Sequence, residues 1–183
     1  MRIISGRHRG RKLAEFVGND VRPTSDRVKE SLFNILSAKI AAAEVLDLFC
    51  GSGNLGLESL SRGAYRAHFN DISKSSLQIL KKNILALGES EKSVITNYDY
   101  AAYLNSAENK FDIIFIDPPY RFDYGARALE IIAKRGLLKD GGVAVYERDK
   151  PFGDKVEGLS LYDERKYGKT YLSLFKKEND ENE

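Results

Sequence analysis

The sequence predicts a doubly wound α/β fold: a mostly parallel sheet covered by helices on both faces and closed by an antiparallel hairpin. Three observations predict it. Short apolar runs alternate with segments whose apolar residues recur at helical spacing, the pattern of strands joined by right-handed crossover helices. The run Phe111–Ile116 is apolar apart from Asp112, as a strand buried on both faces is, and it stops at Asp117-Pro118-Pro119-Tyr120. Finally, residues 159–166 and 170–175 flank Tyr167-Gly168-Lys169, two strand-like runs joined tightly.

The elements follow in order. The first twenty or so residues mix small, basic and apolar types punctuated by Gly6, Gly10 and Gly18, which suits a hairpin or extended arm. From Thr24 a helix is expected: Val28, Leu32, Ile35 and Leu36 share a face, Pro23 lies just outside, and Thr24 or Ser25 can cap it. A strand at 45–49 enters a glycine turn, and a helix at 55–62 ends at Gly63. A second strand, 67–70, ends at Asp71; Ser73 then caps a helix burying Leu77, Leu80, Ile84 and Leu87 until Gly88 stops it. A strand at 94–97, the strand before Asp117, a helix at 126–134 and a strand at 143–147 continue the alternation.

The 183 residues fit one domain with a substantial core: a basic arm over 1–23, a catalytic core over 24–176 and an acidic frayed tail over 177–183. No apolar stretch approaches the roughly 18 residues of a membrane span, and the amino end has no signal-peptide core, so a cytoplasmic location is expected. One cysteine, Cys50, and two separated histidines, His8 and His68, supply no zinc-ligand cluster; no metal is expected. Net charge is only +2, yet residues 1–29 carry eight Lys/Arg (Arg2, Arg7, Arg9, Arg11, Lys12, Arg22, Arg27 and Lys29) against Glu15, Asp20 and Asp26. The amino end is the basic end.

Gly51, Gly53 and Gly56 form G-x-G-x-x-G between a predicted strand and helix, where backbone can approach a ligand and a helix start exposes amides. The turn alone fits NAD, FAD or S-adenosylmethionine, or a purely structural bend. Asp71, about 20 residues on at the next strand end, is placed to accept from ribose hydroxyls, or else serves as an acid favoured at a helix start. Asp47 sits among Val45, Leu46, Leu48 and Phe49, so its carboxylate needs a cationic ligand amine or backbone amides. Asp99, with Asn97 as competitor, follows the third strand and can accept from an adenine amino group, or is a loop acid without a role. Cys50 has no nearby histidine in sequence and reads as a small buried side chain, not a nucleophile.

The second strand-end motif carries the chemistry. The amino group on a base is a weak nucleophile because its lone pair is delocalised, so an enzyme acting on it must orient and polarise it. Asp117 can accept one N–H, the Pro118 carbonyl the other, and Tyr120 can stack on the base, while Pro118 and Pro119 hold the backbone rigid. A proline-rich turn merely capped by Asp117 is the bland alternative. With the glycine turn, the combination looks like an amino-group methyltransferase using S-adenosylmethionine.

The whole chain resembles the bacterial 16S ribosomal RNA guanine-N2 methyltransferase family of small single-domain enzymes. The resemblance rests on both strand-end motifs and on an amino-terminal signature: Arg2-Ile3-Ile4-Ser5-Gly6, Arg9-Gly10-Arg11-Lys12-Leu13, and the stretch Arg22-Pro23-Thr24-Ser25-Asp26-Arg27-Val28-Lys29-Glu30-Ser31-Leu32-Phe33-Asn34-Ile35-Leu36. It implies a seven-stranded Rossmann-like methyltransferase sheet, S-adenosylmethionine as donor, and methylation of one guanine N2 in 16S rRNA, within a small-subunit particle. It also implies that Gly51 and Gly53 approach the methionine part, that Asp71 holds the ribose and Asp99 faces the adenine, and that residues 117–120 hold the guanine; Asp47 and Ile72 are counted with the cofactor site. Arg7, Arg9, Arg11, Lys12, Arg22 and Arg27 fit an RNA partner, since phosphates dominate nucleic-acid affinity; solvated basic loops look the same in composition. Other readings are an adenine-N6 or glutamine-amide methyltransferase, a nonenzymatic rRNA-binding assembly factor, and, more remotely, a nicotinamide dehydrogenase.

Overall fold

The computed structural model describes residues 1–15, 26–119 and 123–178. Its seven strands are β1 (Glu44–Asp47), β2 (Arg66–Asn70), β3 (Ser93–Thr96), β4 (Phe111–Ile116), β5 (Leu138–Arg148), β6 (Leu159–Tyr167) and β7 (Thr170–Lys177). They form one sheet in the order β3-β2-β1-β4-β5-β7-β6. The first five are parallel to one another, whereas β7 pairs antiparallel with both β5 and β6. The doubly wound sheet and the closing hairpin are therefore as the sequence predicts.

The helices are α1 (Asp26–Ile35), α2 (Ser37–Ile40), α3 (Asn54–Ser61), α4 (Lys74–Leu87), α5 (Tyr100–Ser106) and α6 (Tyr124–Arg135). Alternation along the strands sorts them into two layers. Val45, Ile113, Phe115, Val143 and Val145 pack with Leu32, Phe33, Leu57, Leu60, Leu80 and Ile84 on the α1–α4 side. Leu46, Ile114, Ile116, Ala144 and Tyr146 pack with Tyr103, Leu104, Leu129 and Ile132 on the α5–α6 side. Each fully buried aliphatic or aromatic side chain contributes about 1.5–3 kcal/mol, so both faces of the central strands are stabilised. The chain order reverses between β1 and β4, and ligands bind outside the carboxyl ends of the strands at such a reversal.

Local signals act as expected on α4: the Ser73 side chain accepts from the Ser76 amide and Gly88 ends the helix in the left-handed region, φ 71°. Two departures have physical causes. Helix α5 is absent from the sequence expectation because its seven residues span too few turns for periodicity to register; its signal is Asp99, whose side chain accepts from the amides of Ala101 and Ala102. Strand β5 begins at Leu138, not 143, because the Asp140-Gly141-Gly142 segment is an irregularity inside a paired strand: Phe111 is level with Leu138 and Ile113 already with Val143.

Over residues 1–15 the amino-terminal basic segment is a docked hairpin; residues 16–25, including the expected cap at Thr24 or Ser25, lie outside the described residues. The Ile3 amide donates to Arg11 O at 2.9 Å and the Leu13 amide to Met1 O at 3.1 Å, and Ile3 and Leu13 are buried in the core. Gly6 lies so close to α3 that a β-carbon would fall 1.9 Å from Ser61 O, so glycine is required there. The tail expected over 177–183 begins inside the sheet, because Lys177 ends β7 and the Glu178 amide donates to Gly158 O; residues 179–183 lie outside the described residues. Among the described residues no helix is long and apolar enough to cross a membrane.

Candidate active site

Strands β1 and β4 are adjacent and parallel, with Asp47 level with Phe115. The same register carried two residues further sets Phe49 level with Asp117. The glycine turn and Asp117-Pro118-Pro119 therefore leave the same edge of the sheet, from neighbouring strands. Pro118 is buried and Pro119 exposed; Tyr120 lies outside the described residues. On the α5–α6 side, a row of rings, Phe49–Tyr100 at 5.3 Å and Tyr100–Tyr124 at 5.2 Å between centroids, borders this edge. Sequence reading missed that row; Tyr100 sits in the overlooked α5.

The three glycines do different things. Beside Gly51 (φ 53°) a β-carbon would meet nothing within 4 Å, so the turn is open to a ligand there. At Gly53 (φ 91°) it would lie 2.4 Å from Leu80 Cδ1, and at Gly56 2.2 Å from Phe69. Those two are glycine because α3 packs closely onto α4 and β2. Gly53 is also the N-cap of α3 and has no side chain to offer; Asp47 substitutes from β1, accepting from the Gly56 amide at 2.9 Å. Of the partners expected for Asp47, the structure supplies a backbone amide. Its carboxyl is 2 % exposed, and burial, aided by the charge of Asp71, pushes its pKa up to about 7 against that hydrogen bond.

Asp71 directly follows β2 and fixes the turn: Oδ2 accepts from the Gly51 amide and Oδ1 from the Ser73 amide, both at 2.8 Å. An ionised carboxylate has about four acceptor sites, so two remain for a ligand's hydroxyls. Ile72 beside it is 71 % exposed and Tyr98 57 %, an apolar surface over the ends of β2 and β3. Asn97 donates through Nδ2 to Asp71 O and Ile72 O, while Asp99 caps α5 through Oδ1 alone. Cys50 is buried, and burial pushes its thiol pKa well above the usual value, so it is an inert core side chain. Among the described residues no group of His, Cys, Asp and Glu is arranged to hold a metal ion.

The basic residues separate into two sets. Arg7 pairs with the buried carboxylate of Glu89, and Arg11 Nη2 donates to Ala86 O at 2.8 Å, so the two dock the hairpin onto the end of α4 and the turn after it. Arg9, Lys12 and Arg27 are exposed; Arg22 and Thr24 lie outside the described residues.

A profile of the family described as "Conserved hypothetical protein 95" matches residues 1–176. The chain is 40 % identical over 156 residues to a Haemophilus influenzae protein named "Ribosomal RNA small subunit methyltransferase D", covering 82 % of this chain and 81 % of that one. It is 35 % identical to "Putative rRNA methyltransferase YlbH" of Bacillus subtilis, over 97 % and 99 % of the two chains. A solved structure titled "Putative methyltransferase yhhF from Escherichia coli" superposes with a TM-score of 0.88 at 34 % identity, over 97 % of this chain and 98 % of that one. A more distant fold neighbour, 16 % identical with a TM-score of 0.62 over 81 % and 48 % of the chains, is titled a putative methyltransferase complexed with SAH. On its match over residues 1–176, the chain belongs to the conserved hypothetical protein 95 family, and it is similar over most of its length to proteins named small-subunit ribosomal RNA methyltransferase D.

Proposed function

We propose that this protein is an rRNA methyltransferase that moves a methyl group from S-adenosylmethionine to the exocyclic N2 of one guanine in 16S rRNA, acting on a small-subunit particle. The observation that carries the reading is the adjacency of β1 and β4, which brings the glycine turn and Asp117 to one edge at the chain reversal. The curated relatives' names support the reaction and the RNA class.

The cofactor fits the residues present. Open space beside Gly51 admits close approach of the methionine part, the remaining lone pairs of Asp71 suit ribose hydroxyls, and the exposed Ile72 and Tyr98 offer a face for the adenine ring. In this reading the second carboxylate oxygen of Asp99 accepts from the adenine amino group, because Oδ1 is occupied by the cap. When bound, S-adenosylmethionine supplies a methyl carried on a sulfonium, whose leaving group needs no proton.

The chain's own residues do the rest. Asp117 and the Pro118 carbonyl accept the two N–H bonds of the guanine amine and turn its lone pair toward the methyl. The prolines hold those acceptors without reorganisation. Tyr120 supplies a stacking face for a base splayed out of the RNA. Transfer leaves the nitrogen cationic and acidic, so its proton departs afterwards, and Asp117 is needed as an acceptor rather than as a strong base. The exposed Arg9, Lys12 and Arg27 contact phosphates, while Arg7 and Arg11 would first have to leave Glu89 and Ala86.

Isothermal titration tests the cofactor assignment. S-adenosylmethionine should bind to the wild-type protein and to Asp117→Ala with Kd values within about threefold of each other, and NADH should not bind. Binding of NADH alone would overturn the reading.

A further inference from the structure

Two buried side chains tie the amino-terminal hairpin to the glycine turn. Asn83, on α4 and 3 % exposed, accepts from the Ala14 amide at 2.7 Å and donates to Ala14 O at 3.1 Å. The same amide group donates to Ser52 O at 3.0 Å. Lys29, on α1 and fully buried, donates to Arg2 O at 2.5 Å and to Asn54 Oδ1 at 2.7 Å. Arg2 and Ala14 are the two ends of the hairpin; Ser52 and Asn54 are the two neighbours of Gly53. Each flank of the turn is thus held by a donor that also holds one end of the hairpin.

Desolvation makes these contacts obligatory. A buried amide or ammonium left without its acceptors costs free energy comparable to the bond it loses. For Lys29, burial lowers the pKa while the nearby Glu58 carboxylate, 3.3 Å away, raises it. That carboxylate in turn accepts from the amides of Ile4 and Ser5 at 2.8 and 3.0 Å. A hairpin that lifts from α3 and α4 therefore strips partners from the groups that set Ser52 and Asn54.

The geometry points to Asn83 and Lys29 as positioning residues that make the docked hairpin part of the cofactor site. Cofactor affinity then depends on hairpin docking, through the glycine turn. By linkage, anything that holds the hairpin down, such as RNA phosphates on Arg9 and Lys12, tightens cofactor binding by the same factor. The inference rests on the reading that S-adenosylmethionine binds at the glycine turn.

A double-mutant cycle on the full chain tests it, with S-adenosylmethionine Kd as the readout. Asn83→Ala cuts one tie. Glu89→Ala loosens the hairpin tip, where Glu89 pairs with Arg7 and with His8 Nε2, without touching the turn. Asn83→Ala loses three hydrogen bonds, of which the one to Ser52 O bears on the turn, and is expected to raise Kd about five- to tenfold, the size of that one bond. Glu89→Ala is expected to raise it several-fold alone and by a smaller factor on top of Asn83→Ala, where only the Lys29 tie to Asn54 remains. The cofactor KM should rise in step while kcat at saturating cofactor stays within about twofold. Ile132→Ala, in the α6 packing on the far face of the sheet, controls for general destabilisation and should leave Kd unchanged at a matched loss of Tm.

Independent, multiplying effects in the cycle would overturn the inference, as would a wild-type Kd in folded Asn83→Ala. If Asn83→Ala does not fold, Glu89→Ala alone decides: raised Kd supports the coupling and unchanged Kd refutes it. Failure of the wild-type protein to bind the cofactor would instead sink the functional reading beneath it.

Discussion

The carboxylate of Asp71 accepts the backbone N–H of Gly51 at 2.8 Å, so the end of β2 sets the shape of the turn that follows β1. One residue thereby has two tasks, holding the turn and offering its remaining acceptors to a ribose.

Asp71→Ala removes both tasks and should raise the S-adenosylmethionine Kd about 10- to 100-fold, the loss expected for one or two hydrogen bonds to a charged group. Asp71→Asn keeps an acceptor and should recover part of it. Titration calorimetry measures both; an Ala variant with wild-type affinity would remove Asp71 from the site.

Asp117→Ala should lower methyl transfer by about 10²–10³-fold, the scale for losing one preorganised polar contact to a reacting centre. Binding of small-subunit RNA, followed by filter retention, should change by less than about twofold. Unchanged transfer in that variant would show that the proline loop is not the reacting edge.

Asp47 carries a pH signature. Its folded pKa of about 7 lies above the roughly 3.9 of an unfolded aspartate. Between those values the folded protein holds a proton that the unfolded chain has released, so stability falls as pH rises from about 4 to 7 and is level above. Asp47→Asn keeps an acceptor for the Gly56 amide and removes the buried charge. Its Tm should exceed that of wild type at pH 8 by more than at pH 5, corresponding to on the order of 2–4 kcal/mol at pH 8. An equal or reversed difference at the two pH values would contradict the assignment.

Much of this was legible in the sequence, for a reason visible in α4. Its Ser73 cap, four spaced apolar residues and Gly88 stop are local signals, and each acts locally in the structure. Tertiary relationships left weaker traces. That Gly53 and Gly56 are small for the sake of Leu80 and Phe69, while only Gly51 faces open space, depends on how α3 lies against α4 and β2. Likewise the pairing of Arg7 with Glu89 and the bond from Arg11 to the Ala86 carbonyl join residues 82 and 75 positions apart, a relationship that composition does not carry.

Glu58 shows the energetic side of that hidden layer. Fully buried, it accepts from Ile4 and Ser5 amides and Arg62 Nε and pairs with Lys29. Glu58→Gln replaces two charged acceptors by one neutral carbonyl and leaves the buried Lys29 and the partly buried Arg62 without their anion, which should cost about 3–5 kcal/mol. Urea unfolding reads it directly. A loss under about 1 kcal/mol would mean that the network does not hold the hairpin.

The most direct test of the central claim is transfer of labelled methyl from S-adenosylmethionine to purified, unmodified small-subunit particles, followed by nucleoside analysis of the 16S rRNA. The expected result is label in N2-methylguanosine at one position with the wild-type protein and at least about 100-fold less with Asp117→Ala. Label confined to N6-methyladenosine or to protein glutamine, or no label with either protein, would contradict it.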